Sequence, residues 1–209
     1  MSVWTRRLFA AAMASLLVAC GGNDNDPPPP GTLAAEASAR GFTALVAAAD
    51  KAGLVPALSA STSSLTVFAP TDAAFTALAT RLGFASATAM VTALDGPTLA
   101  KILQYHVLPT KKMASDIVAG GATQATLYTF EGAAATLGVS TTGGVKLTDE
   151  VLTQASVTAT DVAASNGVIH VIDKVLVPPG VLTVVQMAQL NPAFSVLVEA
   201  VVAANLATT

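Results

Sequence analysis

Cysteine is almost missing from this chain: among 209 residues there is one, Cys20, so neither a disulfide nor a Cys-x-x-Cys redox or zinc pair can form within it. Histidine is nearly as scarce. The two present, His106 and His170, lie in separate apolar runs, and no HxH or HExxH spacing gathers them into a metal-binding face. Charged residues make up only 11% and aromatics 5%. There is no GxSxG elbow, no phosphate loop and no GxGxxG, which removes the common signatures of acyl transfer and nucleotide chemistry. Basic residues are few: setting aside Arg6 and Arg7, eight Lys or Arg face thirteen Asp or Glu, about five net negative charges. The only adjacent basic pair beyond the N-terminal stretch is Lys111-Lys112, so no phosphate-tracking surface exists and nucleic acid is excluded as a partner.

What the chain does have is apolar residue, 53% of it, with Ala and Thr abundant. MSVWTRR is a positive n-region, and LFAAAMASLLVA is an apolar stretch too short for a permanent span, which needs ~20 residues. Residues 1–19 therefore read as a signal peptide. Leu17-Val18-Ala19-Cys20 resembles the lipobox of bacterial lipoproteins, which implies that Cys20 is lipidated and becomes the first mature residue. Gly21, where inner-membrane lipoproteins commonly carry Asp, implies the outer membrane, facing periplasm or exterior. Acyl chains on Cys20 would anchor the protein, and the membrane is engaged through that anchor only. Residues 20–31 have nothing to bury and contain four consecutive prolines, so they form a stiff extended tether.

Beyond the tether, Phe42, Leu45, Val46 and Ala49 at i, i+3, i+4 and i+7 predict a helix over about 40–52, stopped by Gly53. Leu65 to Phe68 predict a strand that feeds, past Pro70, into a helix with Thr71 or Asp72 as its cap. GPTLAKILQ predicts a helix from about Pro97 to Gln104, followed by a short strand from Tyr105 to Leu108. From Ala122 onward, Thr- and Val-rich runs alternate with glycine turns at Gly132, Gly138 and Gly143-Gly144, the pattern of several antiparallel strands. Helices first and strands mainly later predict an α+β domain, a twisted sheet or sandwich flanked by several short helices.

The organising stretch is SNGVIHVIDKVLVPP. Val168 to Val177 reads as a central strand buried on both faces, opened by Asn166-Gly167 as a positive-φ turn and closed by Pro178-Pro179. His170 and Asp173 interrupt it on opposite faces. Each needs a partner if it is buried.

TVFAPTDAAF (Thr66–Phe75), YHVLP (Tyr105–Pro109) and NGVIHVIDKVLVPP (Asn166–Pro179) resemble, in order and spacing, the three signature segments of the fasciclin domain. The resemblance covers residues 32–180. It implies a β-sandwich-like core flanked by helices and an extracellular adhesion or binding role. The tail, from 181 to 209, repeats the start of that domain: Phe42, Leu45, Val46, Ala52 and Leu54 recur 152 positions on as Phe194, Leu197, Val198, Ala204 and Leu206. A second, incomplete repeat is the expectation there.

Chemistry has little to build on. Thr71, Asp72, Asn166, Gly167, His170 and Asp173 read as structural, Asp72 as a helix cap and Asp173 as closing a bond within the sheet. The resemblance connects the segment around Tyr105 and His106 with partner recognition, whereas the residues themselves fit equally a packed ring and a backbone-bonded imidazole. Lys111 and Lys112 are the nearest charges to that segment. The expectation is a non-catalytic, lipid-anchored adhesion or ligand-binding module without cofactor or metal, meeting protein or glycan at the cell surface or matrix. Its alternatives are an envelope spacer and a hydrolytic or transfer enzyme using His106 or His170.

Overall fold

The computed structural model describes residues 29–194, 196 and 198–200. Cys20, the signal peptide, most of the tether and the end of the tail, Ala204 and Leu206 included, lie outside the described residues.

The chain opens with three short helices, α1 (Leu33–Ala39), α2 (Thr43–Lys51) and α3 (Val55–Ser59), before the first strand, β1 (Leu65–Pro70). Four more follow: α4 (Asp72–Arg81), α5 (Ala87–Ala93), α6 (Gly96–Tyr105) and, after the two-residue β2 (Val107–Leu108), α7 (Ala114–Ala119). Five strands come next, β3 (Thr123–Phe130), β4 (Ala133–Ser140), β5 (Lys146–Thr148), β6 (Gln154–Ala164) and β7 (Gly167–Ile172). A last helix, α8 (Val184–Leu190), precedes a 3-10 turn at Pro192–Phe194. No helix among the described residues is long and apolar enough to cross a membrane.

Local chemistry explains most boundaries. Thr71 has extended backbone and its hydroxyl accepts the Ala74 amide at 3.2 Å, so it is Thr71 that caps α4, leaving Asp72 inside the first turn. Gly53, at φ +69°, lets the chain leave α2 by a left-handed step, and the Gly53 and Leu54 amides close back on Asp50 and Ala49. The alternation in β3 is complete enough that Gln124, Thr126 and Tyr128 all point inward.

The strands form one seven-stranded sheet in the order β2-β1-β7-β6-β5-β4-β3. Its first and last strands come together, so the sheet is nearly closed, with the helices packed outside it. This is the expected α+β class, with one departure: β1 and β7 pair in parallel, Val67 opposite Ile169 and Phe68 opposite His170. A parallel pair needs a long crossover, supplied here by everything between residues 70 and 167.

β7 lies inside the sheet, between β1 and β6, and all six of its residues are buried. It separates two cores. Ile169 and Val171 join Val67, Ala69, Leu45, Phe75 and Leu103 under the helices. Ile172 joins Phe68, Tyr105, Leu137, Leu147 and Leu176 inside the closing sheet.

Several expectations are corrected. The central strand ends at Ile172, not Val177, because the later amides bond elsewhere: Leu176 N–H to the His106 ring and Val177 N–H to the Asp149 carboxylate. Asp173 therefore lies past the strand, where its carboxylate accepts the Ser156 amide at 2.7 Å. Tyr105 ends α6 instead of opening a strand. Neither Asn166 nor Gly167 has positive φ, and Gly138 lies within β4 instead of at a turn. The α1, α5 and α7 segments, short and alanine-rich, show no stripe long enough to be seen beforehand.

Candidate functional site

The signature segments converge around β7. His106, 1% exposed, follows α6, and its Nδ1–H donates to the Ile102 carbonyl at 2.8 Å while Nε2 accepts the Leu176 amide at 2.9 Å. An amide N–H facing Nε2 requires a lone pair there, which fixes the neutral tautomer with the proton on Nδ1. Burial holds this imidazole well below the ordinary histidine range, at about 4, the hydrogen bond to Ile102 only partly opposing it.

Tyr105, also 1% exposed, donates from its hydroxyl to the Thr136 carbonyl at 2.9 Å and meets Tyr128 edge-on, the centroids 6.3 Å apart. Burial pushes its phenol up, and the carboxylates of Asp149 and Glu150 add to that. Tyr105 and His106 thus tie α6 to β4 and to the chain after β7. As candidate partner contacts they are corrected: with every polar group paired and almost no accessible area, they offer a partner no surface.

Lys111 and Lys112 differ from them. Lys111 is exposed, and the turn that carries it is held by three strands. The Thr66 hydroxyl on β1 accepts the Lys112 amide at 2.8 Å and donates to the Thr110 carbonyl at 2.7 Å. His170 on β7, fully buried, accepts the Asp161 amide on Nδ1 and donates from Nε2 to the Lys112 carbonyl at 3.0 Å. The Lys112 ammonium reaches Gln124 Oε1 on β3 at 2.6 Å, and Gln124 itself donates to the Ile117 carbonyl. One face of this turn is thereby sewn down, and the other, with Lys111 and the 38%-exposed Met113, is turned to solvent. Val118 on α7 adds a second exposed apolar side chain nearby in the chain.

The remaining motif residues are structural in their geometry. Asp72 accepts the Ala44 amide at 2.9 Å and the Thr43 hydroxyl, so it caps α2 from across the fold. Asn166, 2% exposed, accepts from Leu33 N–H and donates to the Leu58 and Ala60 carbonyls, joining α1 and the end of α3 to the start of β7. At Gly167 a Cβ would stand 2.2 Å from the Leu65 carbonyl oxygen, so the residue is glycine because β1 approaches there.

Sequence reasoning missed Thr66, Gln124 and Asp149. The first two were visible as polar residues on inward positions of apolar strands, the pattern of a buried hydrogen-bond partner. Asp149, 5% exposed, receives the Thr153 and Val177 amides, and burial pushes its carboxyl up against the pull of those bonds. Among the described residues no group of three His, Cys, Asp or Glu is placed to hold a metal ion.

The Fasciclin domain family model matches residues 40–178. The chain is 41% identical over 138 residues to Protein sll1483 of Synechocystis sp., a match covering 66% of this chain and 68% of that one. It is 36% identical over 135 residues to the Synechocystis uncharacterized protein sll1735, covering 65% and 88%. Among solved structures it resembles a FAS1 domain pair from the insect cell adhesion molecule Fasciclin I, with TM-score 0.50 and 21% identity over 82% of this chain. The match spans 55% of that pair's chain, and at this identity the likeness speaks for the fold alone.

Proposed function

Because the chain belongs to the fasciclin domain family, we propose that its folded part is a non-catalytic binding module working outside the cytoplasm, held to the outer membrane by lipid on Cys20 and displayed on the proline-rich tether. Its partner is a protein or glycan of the cell surface or matrix. It meets the turn at Lys111 and Lys112, with Met113 beside it.

The observation that carries this reading is the way the turn is held. Thr66, His170 and Gln124, from three strands, fix the backbone and one side of the turn, while Lys111 stays free for contact. A loop fixed in advance loses little conformational freedom on binding, and an exposed cation at its edge speeds encounter with an acidic surface. Tyr105 and His106 serve as packing in the core.

The test uses the full chain immobilised over a series of surface-protein and acidic-glycan fractions. Retention is expected at low salt, falling as salt rises, and Lys111→Ala is expected to lower the association rate with an unchanged melting temperature. A partner held equally well by the folded Lys111→Ala and Lys112→Ala variants would place the surface elsewhere. Release of product from a screened ester or glycoside would make the protein an enzyme.

A further inference from the structure

The helical layer does not close over its own core. α3 contains no buried residue, and Leu54, Val55 and Leu58 turn toward the interior yet stay half exposed. Behind them lies a cavity of about 330 Å³ whose walls come from α1, α2, α3, β1 and α6. Leu33, Ala37, Leu45, Ala49, Val67 and Leu103 form its buried part. Protein interiors pack as densely as organic crystals, so an apolar space of this size that the described residues leave unfilled is room for a ligand.

The composition of the wall selects the ligand. Among the described residues no charged side chain lines the cavity, and only Gln104 and His106 bring polar side chains to it. Both ring nitrogens of His106 are already bonded to backbone. A buried charge would find no partner here, which keeps any ionised group of a ligand at the mouth. No described Phe, Tyr or Trp lines it either, so a planar ring would gain no stacking from these walls. At ~30 Å³ for each water-sized group the space holds roughly eleven of them, and methylenes are of similar size.

A second observation concerns the rim. On the outward face of β3, Thr123, Ala125 and Thr129 are small or polar, but Leu127 is a large aliphatic 41% exposed. It stands on the wall of this cavity, and the register of β3 against β4 shifts between Ala125 and Thr129, where it lies.

We infer that this cavity binds a single unbranched hydrocarbon chain, such as that of a fatty acid or a single-tailed lipid, with the polar end left at the mouth. The site is separate from the turn at Lys111 and stands whether or not that turn binds a partner.

Calorimetric titration of the full chain carrying Cys20→Ala, so that no acyl group of its own competes, tests this with octanoate, decanoate, laurate and 1-dodecanol below their micelle concentrations. Affinity is expected to rise about fourfold for each added methylene and to level off once the cavity is full. Dodecanol should bind about as well as laurate, since the chain is what is recognised, and binding should show a negative heat-capacity change. Ala57→Phe, on an exposed position of the wall, and Val46→Phe, on a half-buried one, should each weaken laurate at least tenfold without lowering the melting temperature. Ala73→Phe, exposed on α4 away from the cavity, should bind as the parent does. No heat from laurate, equal affinity in folded Ala57→Phe, or affinity independent of chain length and abolished by salt would each overturn the inference.

Discussion

His106 and Leu176 are joined by a hydrogen bond of 2.9 Å across seventy residues of chain, with the imidazole as acceptor. The same ring donates one turn back to Ile102, so a single side chain terminates α6 and fixes the segment after β7. This double use works only for the neutral ring. A proton on Nε2 would face the Leu176 N–H with no lone pair to receive it.

Stability should therefore fall with acid in a window set by His106. Its folded value of about 4 lies below the ordinary 6.5, so the unfolded chain takes up the proton first. The contribution is fully present above pH 6.5, declines as pH falls toward 4, and is lost below that. The gap corresponds to roughly 3 kcal/mol. Asp149, with its carboxyl pushed up, acts in the opposite sense at the acid end, so the comparison must be with a variant. Urea melts of the parent and of His106→Gln between pH 7.5 and 4 should differ in slope, and parallel curves would remove His106 as the cause.

Asn166→Ala should cost about 3 kcal/mol, because the Leu33 amide and the Leu58 and Ala60 carbonyls lose a buried partner together. Asn166→Asp should be no better, since a carboxylate cannot donate to either carbonyl. Chemical denaturation at pH 7 measures both, and a loss under about 0.5 kcal/mol would make the three bonds incidental.

Gly167→Ala tests close approach as opposed to backbone conformation. Its φ is one an alanine adopts freely, but the new Cβ would lie 2.2 Å from the Leu65 carbonyl oxygen, which is backbone and cannot swing away. The β1–β7 pair must part, and a loss of more than about 2 kcal/mol is expected. A melting curve matching the parent would contradict the geometry.

Ile169→Ala and Ile172→Ala should each cost ~2 to 5 kcal/mol, since both side chains are essentially fully buried. They belong to different cores on opposite faces of β7. The double variant should thus lose the sum to within about 0.5 kcal/mol, provided it folds enough to melt. A large coupling would mean that the two cores relax as one.

What the sequence made legible was whatever depends on near neighbours. Thr71 as a cap, Gly53 as a stop, and the strand-like runs of β3 and β4 on either side of Gly132 follow from residues within a turn or two. The reason for a residue was hidden whenever its partner is distant. Asn166-Gly167 reads as a turn by its local preference, but its roles come from Leu33, Leu58 and Leu65, each about a hundred or more residues away. Tyr105-His106 fits a recognition pair and a packed pair equally well in the sequence, and only the arrival of Thr136 and Leu176 shows them covered. The apparent run to Val177 resumes after Asp173-Lys174 with Val175, Leu176 and Val177, and periodicity carries no sign that the last two amides go to side chains.

The parallel seam between β1 and β7 also sets an order of events. β1 is made early, and the strand it must lie against is the last of the sheet to be synthesised. Until residue 172 is free, one edge of β1 and one edge of β6 stand open, with the loop between them unclosed. Such distant pairing makes folding slow, and it confines the completed sheet to a moment when nearly the entire domain has emerged.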